Sequence, residues 1–208
     1  MDALPSPASA LILIDMQKGF ESGSHWGQER NNPGMEGNAL RLLQFFRKAG
    51  GRVCHVRHAS LESGSPLAEG SPGFEPMSGF EDVPGELTYV KNVNSGFIGT
   101  SLERDLREQG IEELVFCGLT THHCVSTTVR MGSNLGFRCW VVGDACAVFS
   151  RAAAPGTSGA DGAGGEWGAN VVHAVHLASL HGEFCRVVET GELLGREELK
   201  GKYADSAG

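Results

Sequence analysis

The chain has 208 residues, a length that suits one α/β domain with a sizeable core and leaves little room for two domains. Its 17 basic and 25 acidic side chains give a formal net charge of −8, and no basic block is present. A surface that binds nucleic acid or an anionic membrane is therefore not expected.

The N-terminus lacks the features of a secretion signal. Its apolar stretch, residues 8–14, is far too short to span a bilayer, and no basic region or cleavage site accompanies it. The six cysteines follow no regular spacing and form no CxxC motif, and Cys54 and Cys117 lie inside apparent strands. We therefore expect reduced thiols and a cytoplasmic location.

Six apolar runs typical of strands alternate with segments in which apolar residues recur at helical spacing. The runs are residues 10–14, 53–56, 87–90, 113–117, 140–142 and 186–188. The first run is unbroken, which indicates a strand buried on both faces of a parallel sheet. Alternating strands and helices predict right-handed βαβ units. The expected fold class is α/β, a three-layer Rossmann-like sandwich with a mostly parallel sheet of about six strands and helices on both faces.

Four helices are predicted between these strands. Asn32-Pro33 has the pattern of an N-cap followed by a first-turn proline, and it predicts the start of the first helix. Thr100 and Glu103 have the spacing of a capping box for the second helix. The third helix is expected to begin at Cys124, and the last surrounds residues 172–179.

Two long segments lack a helical or strand pattern. Residues 58–86 contain several Gly, Pro and Ser residues and predict a surface excursion of the kind that forms lids or binding segments. Residues 151–169 are rich in Ala and Gly and predict a mobile loop. No repeat or composition break marks a boundary, so residues 1–208 are expected to form one domain with a core from about residue 8 to residue 195.

Three reactive side chains stand at strand ends. Asp15 follows the first run, Lys91 follows the third, and Cys124 lies just past the fourth. Taken singly, each is typical of a turn residue or of a small buried cysteine. Ligands of such sheets bind beyond the carboxyl ends of the strands, where a carboxylate, an ammonium group and a thiol would support covalent catalysis. A cysteine in the first turn of a helix is also expected to favour the thiolate.

Three motifs that carry these residues resemble those of the isochorismatase-like cysteine hydrolase family, which includes nicotinamidases and N-carbamoylsarcosine amidase. The motifs are Leu13-Ile-Asp15-Met-Gln-Lys-Gly-Phe20, Lys91-Asn-Val-Asn-Ser-Gly-Phe-Ile-Gly-Thr100 and Gly118-Leu-Thr-Thr-His-His-Cys-Val125. The resemblance implies hydrolysis of an amide, carbamoyl or ureido C–N bond in a small molecule, through a thioester and without a cofactor. It also implies a homodimer or a larger homo-oligomer.

Carried over residue by residue, the resemblance implies a catalytic triad of Asp15, Lys91 and Cys124. Cys124 would attack the carbonyl carbon, Asp15 would relay protons, and Lys91 would stabilise charge. A cis peptide bond between Leu119 and Thr120 is implied as well. It would aim the backbone N–H groups of Thr120 and Cys124 at the developing oxyanion.

The chain departs from the metal-dependent nicotinamidases, which carry an Asp-x-His element after the first helix. The corresponding region here is Val53-Cys-His55-Val-Arg-His58, which lacks that element. We therefore expect no metal site. His55 is expected to be structural, and His58 is a candidate for the pocket because it stands at the strand end.

Other residues are weaker candidates for the substrate pocket. Phe20, Trp26 and Phe97 could form its walls or simply fill the core. Arg30 could anchor an anionic substrate or form a surface salt bridge. His122 stands where nicotinamidases have Asp, and it could act on the substrate or, with His123, pack and hydrogen-bond around the turn. The remaining histidines, expected on a helix surface or an interface, are His173, His176 and His181.

Two other functions stay open on the sequence. Isochorismate-type vinyl-ether hydrolysis needs the aspartate and not the thiol, so the presence of Cys124 argues against it. A non-catalytic binding or redox-sensing protein would use Cys124 as a sensor thiol, and the presence of all three triad residues argues against that function.

Overall fold

The computed structural model describes residues 6, 8–21, 25–159, 162, 163 and 165–195 of the chain. Its strands and helices follow the predicted alternation. The strands of the central sheet are β1 (Ser9–Ile14), β2 (Arg52–His58), β3 (Leu87–Lys91), β4 (Glu113–Leu119), β5 (Arg138–Ala147) and β6 (Arg186–Val188). The α-helices up to β6 are α1 (Met35–Lys48), α2 (Leu102–Glu108), α3 (Ser126–Asn134) and α4 (Ala169–Leu180), and residues 190–195 after β6 are also helical.

The strand order is β6-β5-β4-β1-β2-β3, and every neighbouring pair is parallel. The chain runs from β1 towards one edge of the sheet and from β4 towards the other, so strand order reverses between β1 and β4. In such sheets this reversal opens a crevice at the carboxyl ends of the strands. All residues of β1 and β4 are buried, which shows that both faces of the sheet are covered at its centre. The predicted α/β class is confirmed.

Between β4 and α3 the chain forms a π-helical turn, Thr121–Val125. Cys124 therefore lies in this turn, and the prediction that it begins the α-helix is wrong by two residues. Short 3₁₀ turns occur at Lys18–Phe20 and Pro72–Phe74. The latter interrupts a segment, residues 59–86, that otherwise has no helix or strand.

Two predicted helix starts are wrong in detail. Helix α1 begins at Met35, and its N-cap is Gly34 rather than Asn32. Asn32 has a positive φ of 46°, and its side chain bonds to strand β5 instead of capping the helix. The amide of Asn32 donates to the carbonyl oxygens of Gly143 and Cys146, at 3.2 and 2.7 Å. Asn32 thus ties the loop before α1 to strand β5.

The capping box expected at Thr100 and Glu103 does not start helix α2. The N-cap of α2 is Ser101, and the hydroxyl of Thr100 accepts from the Leu102 N–H at 3.3 Å while donating to the Gly96 carbonyl at 2.6 Å. Thr100 therefore closes the turn before the helix and forms no reciprocal bond with Glu103.

The segment at residues 151–169 contains two short antiparallel pairings. Arg151–Ala152 pairs with Glu166–Trp167, and Ser158–Gly159 pairs with Gly162–Ala163. Residues 160, 161 and 164 of this segment lie outside the described residues. Its mobility stays a prediction.

All six cysteines are free thiols. Within the described part of the chain, none of the helices combines the length and hydrophobicity that crossing a lipid bilayer requires.

Candidate active site

Three polar side chains from separate elements meet beyond the carboxyl ends of the sheet strands. Asp15 directly follows β1, Lys91 is the last residue of β3, and Cys124 lies in the π-helical turn beyond β4. Asp15 is 0%, Lys91 1% and Cys124 8% exposed. The structure thus brings together the three residues of the predicted triad in a buried cluster.

The Lys91 ammonium is the centre of this cluster. Its Nζ lies 2.9 Å from Asp15 Oδ2, 3.0 Å from His58 Nδ1 and 3.3 Å from Cys124 Sγ. A lysine ammonium has three N–H donors, so these three contacts use its full donor capacity. The cluster therefore holds one cation with one acceptor for each of its hydrogens.

Among the described residues, Asp15, His58 and Cys124 also have the spacing of a group that could hold a metal ion, with ligand atoms within 4.8 Å of one another. Those same three residues contact the Lys91 ammonium, which already places a positive charge between them. In this arrangement the lysine supplies the charge that a metal would otherwise bring.

The protonation state of the thiol differs from the prediction. Burial, and then the negative charge of Asp15, raise the pKa of Cys124 well above its usual range, although Lys91 acts in the opposite direction. The expected thiolate at a helix start is therefore wrong for the resting site. The neutral thiol donates to the side-chain oxygen of Asn94 at 3.6 Å and accepts from Lys91.

The charges of the two neighbours follow from the same contacts. Burial alone would lower the pKa of Lys91, but the charge of Asp15 outweighs it and raises that pKa, so the ammonium is charged. Burial and the charge of Lys91 lower the pKa of His58, so its imidazole is neutral at pH 7. The resting site thus contains an ion pair, a neutral imidazole and a neutral thiol.

The backbone between β4 and Cys124 has two unusual features. Gly118 has a φ of 123°, and a Cβ at this position would overlap the carbonyl oxygen of Ile14 on β1. The Leu119–Thr120 peptide bond is cis, as the resemblance implied. The Thr120 carbonyl then accepts from the N–H groups of His123 and Val125, at 3.1 and 3.2 Å, which closes the turn around Cys124.

The turn is also attached to helix α4. Thr121 Oγ1 lies 2.9 Å from His173 Nδ1, and His173 Nε2 lies 3.4 Å from the side-chain amide of Asn32. His173, which was expected on a helix surface or an interface, is half-buried and contacts the turn through its ring. Burial lowers its pKa, so it makes these contacts as a neutral imidazole.

A cavity of about 180 Å³ opens onto the cluster and is lined by Asp15 and Cys124. This is many times the volume that one water molecule needs, and it suits a small molecule. Aromatic rings form one wall: Phe20 lies 4.5 Å from Trp26 and 6.4 Å from Phe149 between ring centroids. The site is thus apolar on one side and polar at its reactive end.

A family profile described as Isochorismatase domain matches residues 9–158 of the chain. The chain belongs to the isochorismatase family of hydrolases.

Relatives within this isochorismatase family cover most of the chain. It is 37% identical over 185 residues to the isochorismatase family protein YrdC of Bacillus subtilis (strain 168), covering 89% of this chain and 94% of the relative. The crystal structure of an isochorismatase-family protein from Chromobacterium violaceum matches with a TM-score of 0.83 at 39% identity, over 93% of this chain and 95% of the other. The ureidoacrylate amidohydrolase RutB of Variovorax paradoxus (strain S110) is 28% identical over 73% of each protein.

Four of the predicted pocket residues line the cavity beside Cys124: Phe20, Trp26, His58 and His122. Two do not. Arg30 forms an ion pair with Glu36 at 2.6 Å, the alternative that the sequence left open. Phe97 is buried in the core, where its ring stacks on Phe137 at 6.0 Å.

His122 departs from the expected hydrogen-bonded packing. Its ring stacks on His123 at 3.7 Å, and within the described residues neither of its buried ring nitrogens has a hydrogen-bond partner. Burial, and then the charge of His123, lower the pKa of His122 to about 3. His122 therefore lines the cavity as a neutral imidazole whose two ring nitrogens are buried and unpaired within the described part of the chain.

Several residues of the cavity wall were not predicted from the sequence, notably Asn94, Phe149 and Arg151. Asn94 lies in the second motif, three residues after Lys91, and that position was a usable signal. Phe149 and Arg151 follow β5, whose predicted end at residue 142 is five residues short of the observed end. The full length of β5 delivers these two side chains to the cavity.

Proposed function

We propose that this protein is a cysteine hydrolase that cleaves an amide, carbamoyl or ureido C–N bond of a small molecule. The observation that carries the proposal is the position of Cys124, which lines the cavity with its Sγ 3.3 Å from the Lys91 ammonium and beside the Asp15 carboxylate. The similarity to an ureidoacrylate amidohydrolase supports a C–N bond of this type.

In the proposed first step, Sγ of Cys124 bonds to the carbonyl carbon of the substrate and its proton passes to Asp15. Asp15 suits this role because its Oδ1 has no hydrogen-bond partner among the described residues and the carboxylate lines the cavity. The electron pair of the carbonyl moves onto its oxygen. We assign the N–H groups of Thr120 and Cys124 as the donors to this oxyanion.

The tetrahedral intermediate then collapses. The C–N bond breaks, the Asp15 proton passes to the leaving nitrogen, and a thioester remains on Cys124. Water attacks the thioester carbon and gives its proton to Asp15, after which the C–S bond breaks, the acid leaves and the thiol regains that proton. Lys91 keeps a positive charge beside both residues throughout, so the site never accumulates an unpaired negative charge.

The test is hydrolysis of a panel of amides, ureas and carbamoyl compounds, followed by release of ammonia or amine. Cys124→Ala and Cys124→Ser should each lower the rate by about 10³-fold or more, because the nucleophile is removed. Cys185→Ala is the matched control, since Cys185 is an equally buried free thiol outside the site. It should retain the wild-type rate.

Two results would contradict this mechanism. If Cys124→Ala hydrolysed its substrate normally while Asp15→Asn did not, the reaction would need the acid alone, as in vinyl-ether hydrolysis. If no compound on the panel were hydrolysed, the function would lie outside C–N bond hydrolysis.

Self-association as a homodimer or a larger homo-oligomer stays a prediction. Sedimentation equilibrium would test it by measuring the molar mass of the protein in solution.

A further inference from the structure

The contact between His58 and Lys91 fixes the state of both side chains. The two residues are register partners on β2 and β3, and His58 Nδ1 lies 3.0 Å from Lys91 Nζ. Because an ammonium has no acceptor, Nδ1 must accept the hydrogen bond, and the ring proton of the neutral imidazole lies on Nε2. His58 is thus the third acceptor of the ammonium, beside Asp15 and Cys124.

The backbone of His58 is itself clamped. The buried side chain of Gln17 accepts from the His58 N–H at 2.8 Å and donates to the His58 carbonyl at 3.1 Å. The backbone of Val93 is a further hydrogen-bond partner of the imidazole. The backbone of His58 is therefore fixed by Gln17, and the ring contacts the reactive cluster at hydrogen-bond distance through Nδ1 and Lys91 Nζ.

We propose that His58 is a positioning residue that holds the Lys91 ammonium against Cys124 Sγ. Its effect on turnover rests on the proposed function, whereas its effect on the thiol does not. Without this acceptor, one N–H of a buried ammonium lacks a partner, and the group turns from the sulfur towards another acceptor. A thiolate forming at Cys124 then loses its nearest positive charge.

The test depends on which ring nitrogen is replaced. In His58→Asn the amide oxygen can occupy the position of Nδ1, so the acceptor for Lys91 is kept and the Val93 contact is lost. His58→Gln places its amide at the position of Nε2, so it keeps a donor for Val93 and loses the acceptor. His58→Leu has the shape of the Asn variant and neither polar contact.

The readout is alkylation of Cys124 by iodoacetamide, followed by peptide mass spectrometry from pH 6 to pH 10. In this reaction the sulfur displaces iodide and the thiol proton is lost, so the rate reports how readily the thiolate forms. The charged and titratable groups facing the cluster are Asp15, His58, Lys91, Cys124 and, around the cavity, Glu62, His122, His123 and Arg151. All of these except His58 are unchanged in the three variants.

We expect the Leu and Gln variants to lose about tenfold in alkylation rate at pH 8, the change that follows from losing one hydrogen bond to a charged group. Their rate profiles should shift to higher pH. The Asn variant should recover most of the wild-type rate, because the acceptor at the Nδ1 position is restored. Equal rates in the Asn and Leu variants, or wild-type rates in the Leu and Gln variants, would overturn the proposal.

His55→Asn is the control for general damage to β2. His55 is a buried histidine on the same strand, and its Nε2 contacts Glu86 at 2.7 Å, away from the cluster. This variant should be easier to unfold with urea and should keep the wild-type labelling rate of Cys124. The proposal fails if His55→Asn slows labelling as much as His58→Leu does.

Turnover of a panel substrate separates this proposal from the proposed function. Slower labelling in the Leu and Gln variants with no turnover in the wild type would support the role of His58 and reject amide hydrolysis. Slower turnover with an unchanged labelling profile would reject the role of His58 and leave amide hydrolysis in place.

Discussion

The Asp15 carboxylate and the Lys91 ammonium form a buried ion pair, with Oδ2 and Nζ 2.9 Å apart and both side chains 0% exposed. Removing two charges from water is expensive, and the attraction between them offsets that cost only when both remain. Asp15 follows β1 and Lys91 ends β3, and β2 lies between these two strands in the sheet. The two residues are 76 positions apart in sequence. The pair therefore joins the ends of β1 and β3 and depends on the complete fold.

Replacing Lys91 by Met should lower the free energy of unfolding by about 3–5 kcal/mol, because Asp15 is left as an uncompensated buried charge. Urea denaturation at pH 7.5 measures this. The double variant Asp15→Asn/Lys91→Met should recover a large part of the loss, since neither charge remains. A double variant less stable than Lys91→Met would contradict the account.

Glu192→Gln is a control for that experiment. It removes one partner of the partly exposed Arg186–Glu192 pair, whose atoms are 3.3 Å apart. Solvent screens this pair, so the expected loss is under about 1 kcal/mol.

Asp15→Asn should speed the alkylation of Cys124 and abolish hydrolysis of the substrate. The charge of Asp15 raises the pKa of the thiol, so removing that charge lowers the pKa and leaves Lys91 free to stabilise a thiolate. Alkylation by iodoacetamide at pH 7 should become faster, by about tenfold for each unit of pKa. Hydrolysis should be lost, because no group remains to carry the proton to the leaving nitrogen.

A slower alkylation rate in Asp15→Asn would show that Asp15 deprotonates the thiol at rest. Asp105→Asn is the matched control, since Asp105 is a carboxylate on α2 that bonds to Ser101 and Tyr89 rather than to the cluster. Its alkylation rate should equal that of the wild type.

The positions of Asp15, Lys91 and Cys124 were predictable because each is a polar group at the end of a buried apolar run. A strand buried on both faces must be apolar throughout, so the first reactive side chain marks its end and its place at the sheet edge. The low pKa expected for Cys124 was wrong for a physical reason. Local position suggested a helix start, whereas the pKa is raised by burial and then by a carboxylate that lies 109 positions earlier in the sequence, both of which depend on the complete fold.

The cavity wall formed by Phe149 and Arg151 was not predictable for a related reason. Strand β5 continues through Asp144, a polar residue that looked like the end of the strand. The Asp144 carboxylate accepts from both the N–H and the hydroxyl of Thr190, at 2.8 and 2.9 Å, and from the side chain of Asn38 at 3.0 Å. These partners satisfy a polar group within the strand, and they are known only once the chain is folded.

Gly118→Ala should disrupt the junction between β1 and β4. A methyl group there would overlap the Ile14 carbonyl, and the φ of 123° is one that residues with a side chain rarely adopt. The expected loss is about 3 kcal/mol or more in the free energy of unfolding, measured with urea.

Gly136→Ala separates the two causes of that loss. Gly136 also has a positive φ, 88°, but a Cβ there would meet no atom within 4 Å. Its replacement should cost about 1 kcal/mol from backbone conformation alone. Equal losses in the two variants would show that the contact with Ile14 is unimportant.

His122 should make the protein less stable as the pH falls from 7.5 to 5. Its pKa of about 3 in the folded protein lies far below the value near 6.5 expected for an unfolded chain. Between these values the unfolded chain binds a proton that the folded protein does not, so the free energy of unfolding decreases as the pH falls. The buried ring nitrogens have no partner among the described residues that would stabilise the charged form.

His122→Phe removes this titration while keeping an aromatic ring stacked near His123. The loss of stability between pH 7.5 and pH 5 should therefore be smaller in the variant than in the wild type, by about 1–2 kcal/mol. Above pH 7.5 the difference between the two proteins should be constant, which provides the internal control. Urea denaturation at pH 5, 6.5, 7.5 and 8.5 measures both effects. An identical pH dependence in the two proteins would mean that the pKa of His122 in the folded protein is close to its ordinary value.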